Sequence, residues 1–84
     1  MKIVFSHHAE GKFELLKKRG FPIEREKVLD CVKNPDKIGP GYKGRKVAQK
    51  NLDASHVVRV VFAEESGVRR IITFYPGRRD RYEI

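Results

Sequence analysis

The stretch HVVRVVFAEESGVRRIITFYP, residues 56–76, decides the fold. β-Branched residues run through both of its ends, and Ser66-Gly67 stands between them as a two-residue turn signal. His56–Glu65 and Val68–Pro76 therefore read as the arms of a β-hairpin. Side chains alternate across a strand, so each arm can be sorted into two faces. In the first arm Val58, Val60 and Phe62 share one side, and Val57, Arg59 and Val61 take the other. In the second arm Ile72 and Phe74 are expected together, with Ile71, Thr73 and Tyr75 opposite. The wholly apolar set should face a helical layer, which leaves Arg59 on the far face among apolar neighbours. A partly desolvated guanidinium is costly without a negative partner. Glu64 or the C-terminal carboxylate would serve internally. A bound phosphate would serve from outside, since its oxygens match the guanidinium's fork of donors.

Upstream of the hairpin the period changes. Arg45–Leu52 reads as a third, mostly polar strand, reached through the glycine-rich connection Gly39–Gly44. Before it, FPIEREKVLDCVKNPD (residues 21–36) reads as a helix. Pro22 opens the segment, Glu24 and Glu26 fall in the first turn, and Asn34-Pro35 closes it. Val28, Leu29 and Val32 are the expected buried stripe, with Cys31 at its edge. An earlier amphipathic helix spans Ala9 to Arg19, carries Ala9, Phe13 and Leu16, and ends at Gly20. Ser6 or His7 offers its N-cap, and with His7 as cap Glu10 would complete a weak capping box. Lys2–Phe5 adds a short strand at the start. The sum is one α+β domain over 1–84 in the order β-α-α-β-β-β: an antiparallel four-stranded sheet with two helices packed on one face.

Composition narrows the chemistry. The chain has 84 residues and a formal charge of +8, distributed unevenly: residues 1–36 hold eight Lys/Arg against six Asp/Glu, and residues 37–84 hold eleven against five. A positive second half suits a polyanion or an acidic protein, and equally a solubilising surface. The single cysteine, Cys31, excludes an internal disulfide and a CxxC zinc site, and reads as a core residue rather than a reactive thiol. No apolar run has the length of a membrane span, and the N-terminus is too short for a secretory signal, so a cytoplasmic location is expected. His7 and His8 begin the first helix, where backbone N–H groups favour anions. His8 reads as a base or neutral donor, or as a plain cap or surface residue. Neighbouring helical residues do not face one metal ion, and His56 is distant in sequence, so no metal and no cofactor is expected. Walker, GxGxxG, GxSxG and HExxH motifs are absent from the sequence.

One ordered set of residues carries a further signal. His8-Ala9, Arg19-Gly20, Asn34-Pro35, Gly44-Arg45-Lys46, Arg59-Val60-Val61, Thr73-Phe74-Tyr75-Pro76 and Arg81-Tyr82 together resemble a small prokaryotic family grouped with the RelE/ParE-like toxins, within the barnase–colicin–RelE nuclease fold. The resemblance runs over nearly the whole chain, and the β-α-α-β-β-β order agrees with it. What it implies is a toxin-like, metal-independent endoribonuclease of the mRNA interferase type, paired with a small acidic antitoxin and acting on RNA, free or on the ribosome. In that reading the ribose 2′-OH attacks the adjacent phosphate while the protein supplies a base, an acid and a cationic clamp. The implied catalytic set is His8, Arg59, Thr73 and Tyr82. RNA contacts would come from Arg45, Lys46, Tyr75, Arg78, Arg79 and Arg81, with the ring of Tyr82 able to stack on a base. The alternative is a non-catalytic RNA-binding or protein-interaction module of the same fold. Val57, Val61 and Ile71, expected beside Arg59, suggest that something covers that face, whether an antitoxin or a second copy of the chain. The arginine-rich end after Pro76-Gly77 is expected to fold back along the sheet edge and enlarge the cationic groove.

Overall fold

A computed structural model describes residues 2–82. The elements run β1 (Lys2–Phe5), α1 (His7–Lys18), α2 (Arg25–Lys33), β2 (Lys37–Pro40), β3 (Lys46–Asn51), β4 (His56–Glu65), β5 (Val68–Arg78) and a single helical turn α3 (Arg79–Tyr82), with a short 3₁₀ turn at Tyr42–Gly44 between β2 and β3. The fold is α+β, with a mixed sheet of five strands in the order β1-β5-β4-β3-β2. β1 runs parallel to β5, and the other pairs are antiparallel. The expected four-stranded antiparallel sheet is corrected twice. β2 is an added edge strand, and β1 joins through a parallel ladder because α1 and α2 carry the chain across the sheet before it returns.

The turn Ser66-Gly67 closes the hairpin as expected, both residues having positive φ (48° and 79°). The second arm departs from strict alternation. Val61 pairs with Thr73 but Phe62 pairs with Ile71, so Ile72 is an extra residue in a β-bulge. The bulge shifts the phase by one residue. Ile71, not Ile72, joins Phe74 in the core, and both are fully buried. Thr73 and Tyr75 stay on the far face.

The two longer helices cover the apolar face. Ala9 and Leu16 of α1 and Val28, Cys31 and Val32 of α2 pack in one cluster with Ala48, Val58, Val60, Phe62, Ile71 and Phe74. Cys31 is fully buried, while Leu29 is only partly so, which exchanges the two within the expected stripe. Burial pushes the Cys31 thiol up to about 12. Ser6, not His7, caps α1: its Oγ accepts from the Ala9 N–H at 3.1 Å and donates to the Ile72 carbonyl at 3.0 Å. That pair of bonds ties the helix start to the bulge. Gly20, at φ 82°, releases the chain after the last turn.

Several cations serve the scaffold. Lys50 pairs with Asp30 and donates to the Asn34 carbonyl, and Arg69 donates to the Val32 carbonyl and to Glu64. Both therefore hold the C-terminal end of α2, where cations are favourable, against the sheet. Lys46 also pairs with Glu64. Glu64 is thus engaged on the helix side, which removes it as one of the two internal candidates for Arg59. The C-terminal carboxylate, the other internal candidate, lies outside the described residues.

Candidate nucleic-acid interface

Register places one row of side chains across four strands on the face turned away from α1 and α2: Lys37, Gln49, Arg59 and Tyr75. Arg59 stands at its centre. Its Nε donates to the Tyr75 hydroxyl at 3.2 Å, and its Nη1 donates to Gln49 Oε1 at 2.6 Å. The guanidinium carbon lies 4.2 Å from the centre of the Tyr82 ring. All three partners are uncharged, and Arg59 makes no ion pair with a carboxylate among the described residues. Its plane is therefore fixed while its charge is left uncompensated by them, in a half-buried position. The next row along the face pairs Val61 with Thr73. The Thr73 hydroxyl is buried and has no hydrogen-bond partner among the described residues.

The C-terminal turn completes the site. The Arg79 N–H donates to the Ser55 carbonyl at 2.8 Å, and the Tyr82 carbonyl accepts from Gln49 Nε2 at 2.9 Å. Gln49, buried at 6% exposure, thus bonds Arg59 with one end of its amide and α3 with the other. Gly77 lets the turn lie flat, because a Cβ there would stand 2.5 Å from Tyr82 Cε2. Val57 is buried on this same face, outside the main core, at the depression that it lines with Tyr82 and Arg79. The tail therefore folds onto the far face itself rather than along the sheet edge.

Of the sequence-predicted site residues, Arg59, Tyr75, Thr73 and Tyr82 come together here, with Arg79 at the border. The Tyr82 ring lies against the Arg59 guanidinium. His8 does not join them: it is exposed on α1, whose Ala9 and Leu16 pack on the opposite face of the sheet. Lys46 is also on that opposite side, opposite Phe62 and bonded to Glu64. Arg45 sits at the turn entering β3, where its carbonyl accepts from the Gly41 N–H. Arg78 and Arg81 are exposed. Gln49 was missed by sequence reading. Its signal was available: it is the far-face residue of β3, and a polar residue opposite an arginine on a neighbouring strand is a candidate partner. Among the described residues no group of three or more His, Cys, Asp or Glu side chains is placed to hold a metal ion, and no helix is long and apolar enough to cross a membrane.

Compared with protein-family models, with curated proteins and with solved structures, the chain matches none.

Proposed function

We propose that the chain binds single-stranded RNA through the far face of its sheet, with the strand's phosphate on Arg59. The observation that carries this reading is the guanidinium held by Gln49, Tyr75 and Tyr82, with no carboxylate among its described partners. A planar cation fixed by neutral groups is prepared for an anion from outside, and Arg is the residue suited to phosphate. The partly exposed Tyr75 supplies a ring and hydroxyl on the same face, and Thr73 lies beside it with its hydroxyl buried. Binding should be salt-dependent, falling by about 0.7 in log–log slope for each phosphate contact removed. Fluorescence anisotropy with a short labelled RNA, titrated over salt, tests it with Arg59→Gln. A variant that remains folded but binds with the parental affinity and salt slope would overturn the reading.

Cleavage is the stronger form of the same proposal, the toxin-like endoribonuclease that the resemblance implies. It would draw on Arg59, Thr73, Tyr75 and Tyr82, without His8, since His8 belongs to the helical layer. End-labelled RNA incubated in chelator and resolved on a denaturing gel tests it directly. Val47 and Val61 favour a second occupant for the face: half-buried apolar side chains beside the arginine also suit an acidic protein segment of antitoxin type. Competition between RNA and such a partner for the Arg59 face is the expected outcome if both bind.

A further inference from the structure

A second constellation lies where the β3–β4 loop meets the end of β5. An open cleft of about 720 Å³ is lined by Ala54, Ser55, His56, Arg78, Arg79 and Asp80. The His56 ring is oriented from two sides. Its Nδ1 lies 3.0 Å from Asp53 Oδ1, and the Phe21 ring meets it at a centroid distance of 4.6 Å. The Asp53 carboxylate is itself built into the loop, accepting the N–H groups of Ser55 and His56 at 2.8 Å each. Those bonds, with the Ser55 N–H foremost and the His56 ring next, hold Asp53 below the usual carboxylate range. A carboxylate only accepts, so Nδ1 carries the proton in this contact. Arg78 and Arg79 also line the cleft, and Asp80 engages Arg78 at a loose 3.5 Å.

We propose that this cleft is a binding site for a phosphate monoester, with His56 Nε2 and one phosphate oxygen sharing a proton. The chemistry selects the monoester over the diester. With the neutral ring's one proton on Nδ1 facing Asp53, the contact at Nε2 needs a proton from the ligand. A monoester titrates near neutral pH, with its second ionisation at about 6, and can bring that proton; a diester has none to give. Arg78 then compensates part of the remaining charge. Affinity falls as pH rises and the shared proton is lost. The charged groups around the ring are Asp53 on its own loop and Arg78, Arg79 and Asp80 from the end of β5 and α3. Glu24 and Lys27 line the neighbouring depression with Phe21 and Asp53.

The monoester has two natural sources, a free phosphate-bearing small molecule or the terminal phosphate of an RNA strand. Arg79 lines both this cleft and the depression beside Tyr82 and Gln49, so a strand end would reach it from the far face. Only that second source rests on the RNA reading. The test is an NMR titration of the whole chain with inorganic phosphate, following the His56 ring and Ser55 amide signals at two pH values. Saturable shifts, tighter at the lower pH, are expected, with at least a tenfold loss in Arg78→Gln and in His56→Gln. Anisotropy with one RNA bearing a terminal phosphate or hydroxyl separates the sources: about tenfold tighter binding of the phosphorylated strand identifies the strand end, and equal binding alongside a phosphate response identifies the free anion. No His56 response to phosphate and no preference between the strands would overturn the proposal. A response that Arg78→Gln leaves unchanged would overturn it as well.

Discussion

Gly77→Ala is the perturbation that reaches the site most selectively, because it adds one methyl group at the seam between sheet and tail. The new Cβ would meet Tyr82 Cε2 at 2.5 Å and Cδ2 at 2.7 Å. Restoring ordinary contact beyond 3.4 Å moves the ring by roughly 0.9 Å. That ring holds Arg59, and its own backbone carbonyl holds Gln49. Losing the cation–π contact removes ~0.5–2 kcal/mol, and losing the Gln49 bond about 1 kcal/mol. An opposing term of ~0.5–1 kcal/mol comes from replacing a strand glycine by alanine. The expected net loss of stability is therefore about 0.5–2.5 kcal/mol, accompanied by shifted Arg59 Nε–H and Gln49 side-chain signals and weaker RNA binding. Urea unfolding, side-chain NMR and anisotropy on the same variant supply the three readings. A variant stabilised by the glycine term alone, with Arg59 and Gln49 signals in place, would refute the claim that the tail orients Arg59.

Other expectations follow from the same geometry. Thr73→Val removes a buried hydroxyl that has no partner among the described residues, so stability in urea unfolding should hold or rise by up to ~1 kcal/mol; a loss of stability would show the hydroxyl to be structural. Ile71→Ala should cost ~2–5 kcal/mol in urea unfolding and Ile72→Ala about 1 kcal/mol or less, and the reverse order would remove the bulge. Cys31, buried with its thiol pushed up to about 12, should resist thiol reagents in the native state and react at the rate of unfolding. Asp30, Asp53 and Glu64 are each held below their ordinary values, by Lys50, by the Ser55 N–H and by Lys46 as the leading causes. Groups with a depressed folded-state pKa stabilise the fold above their unfolded values and lose that contribution as pH falls through the folded ones. Stability should therefore decline below the ordinary carboxylate range, from 4.5 for Glu64 and 3.8 for the aspartates downward. Glu64→Gln should flatten the decline in a series of urea melts.

The hairpin and both longer helices were legible because their signals are local: β-branched runs around a turn, and apolar spacing between caps. β2 was not. Lys37-Ile38-Gly39-Pro40 has one apolar side chain and two strand-averse residues, and it forms only because an edge position tolerates proline and β3 provides a partner. The bulge was hidden by chemistry, since Ile71 and Ile72 are interchangeable to any hydrophobic pattern and only the register with Phe62 tells them apart. In the site, alternation correctly placed Arg59, Thr73 and Tyr75 together. It could not place His8, because a helix residue's side of the sheet depends on packing rather than on local sequence. The His56–Asp53 pair escaped for a different reason: three residues apart in a loop, they meet through the turn that Asp53 itself stabilises.

The central claim is that Arg59 and its row receive the RNA strand, and amide and side-chain NMR mapping of a short single-stranded RNA on the full chain tests it most directly. The account predicts saturable shifts concentrated at Gln49, Arg59, Val61, Thr73 and Tyr75, weakened at high salt and lost in Arg59→Gln. Shifts confined to α1 and α2 around His8, or none at all at low salt, would contradict it.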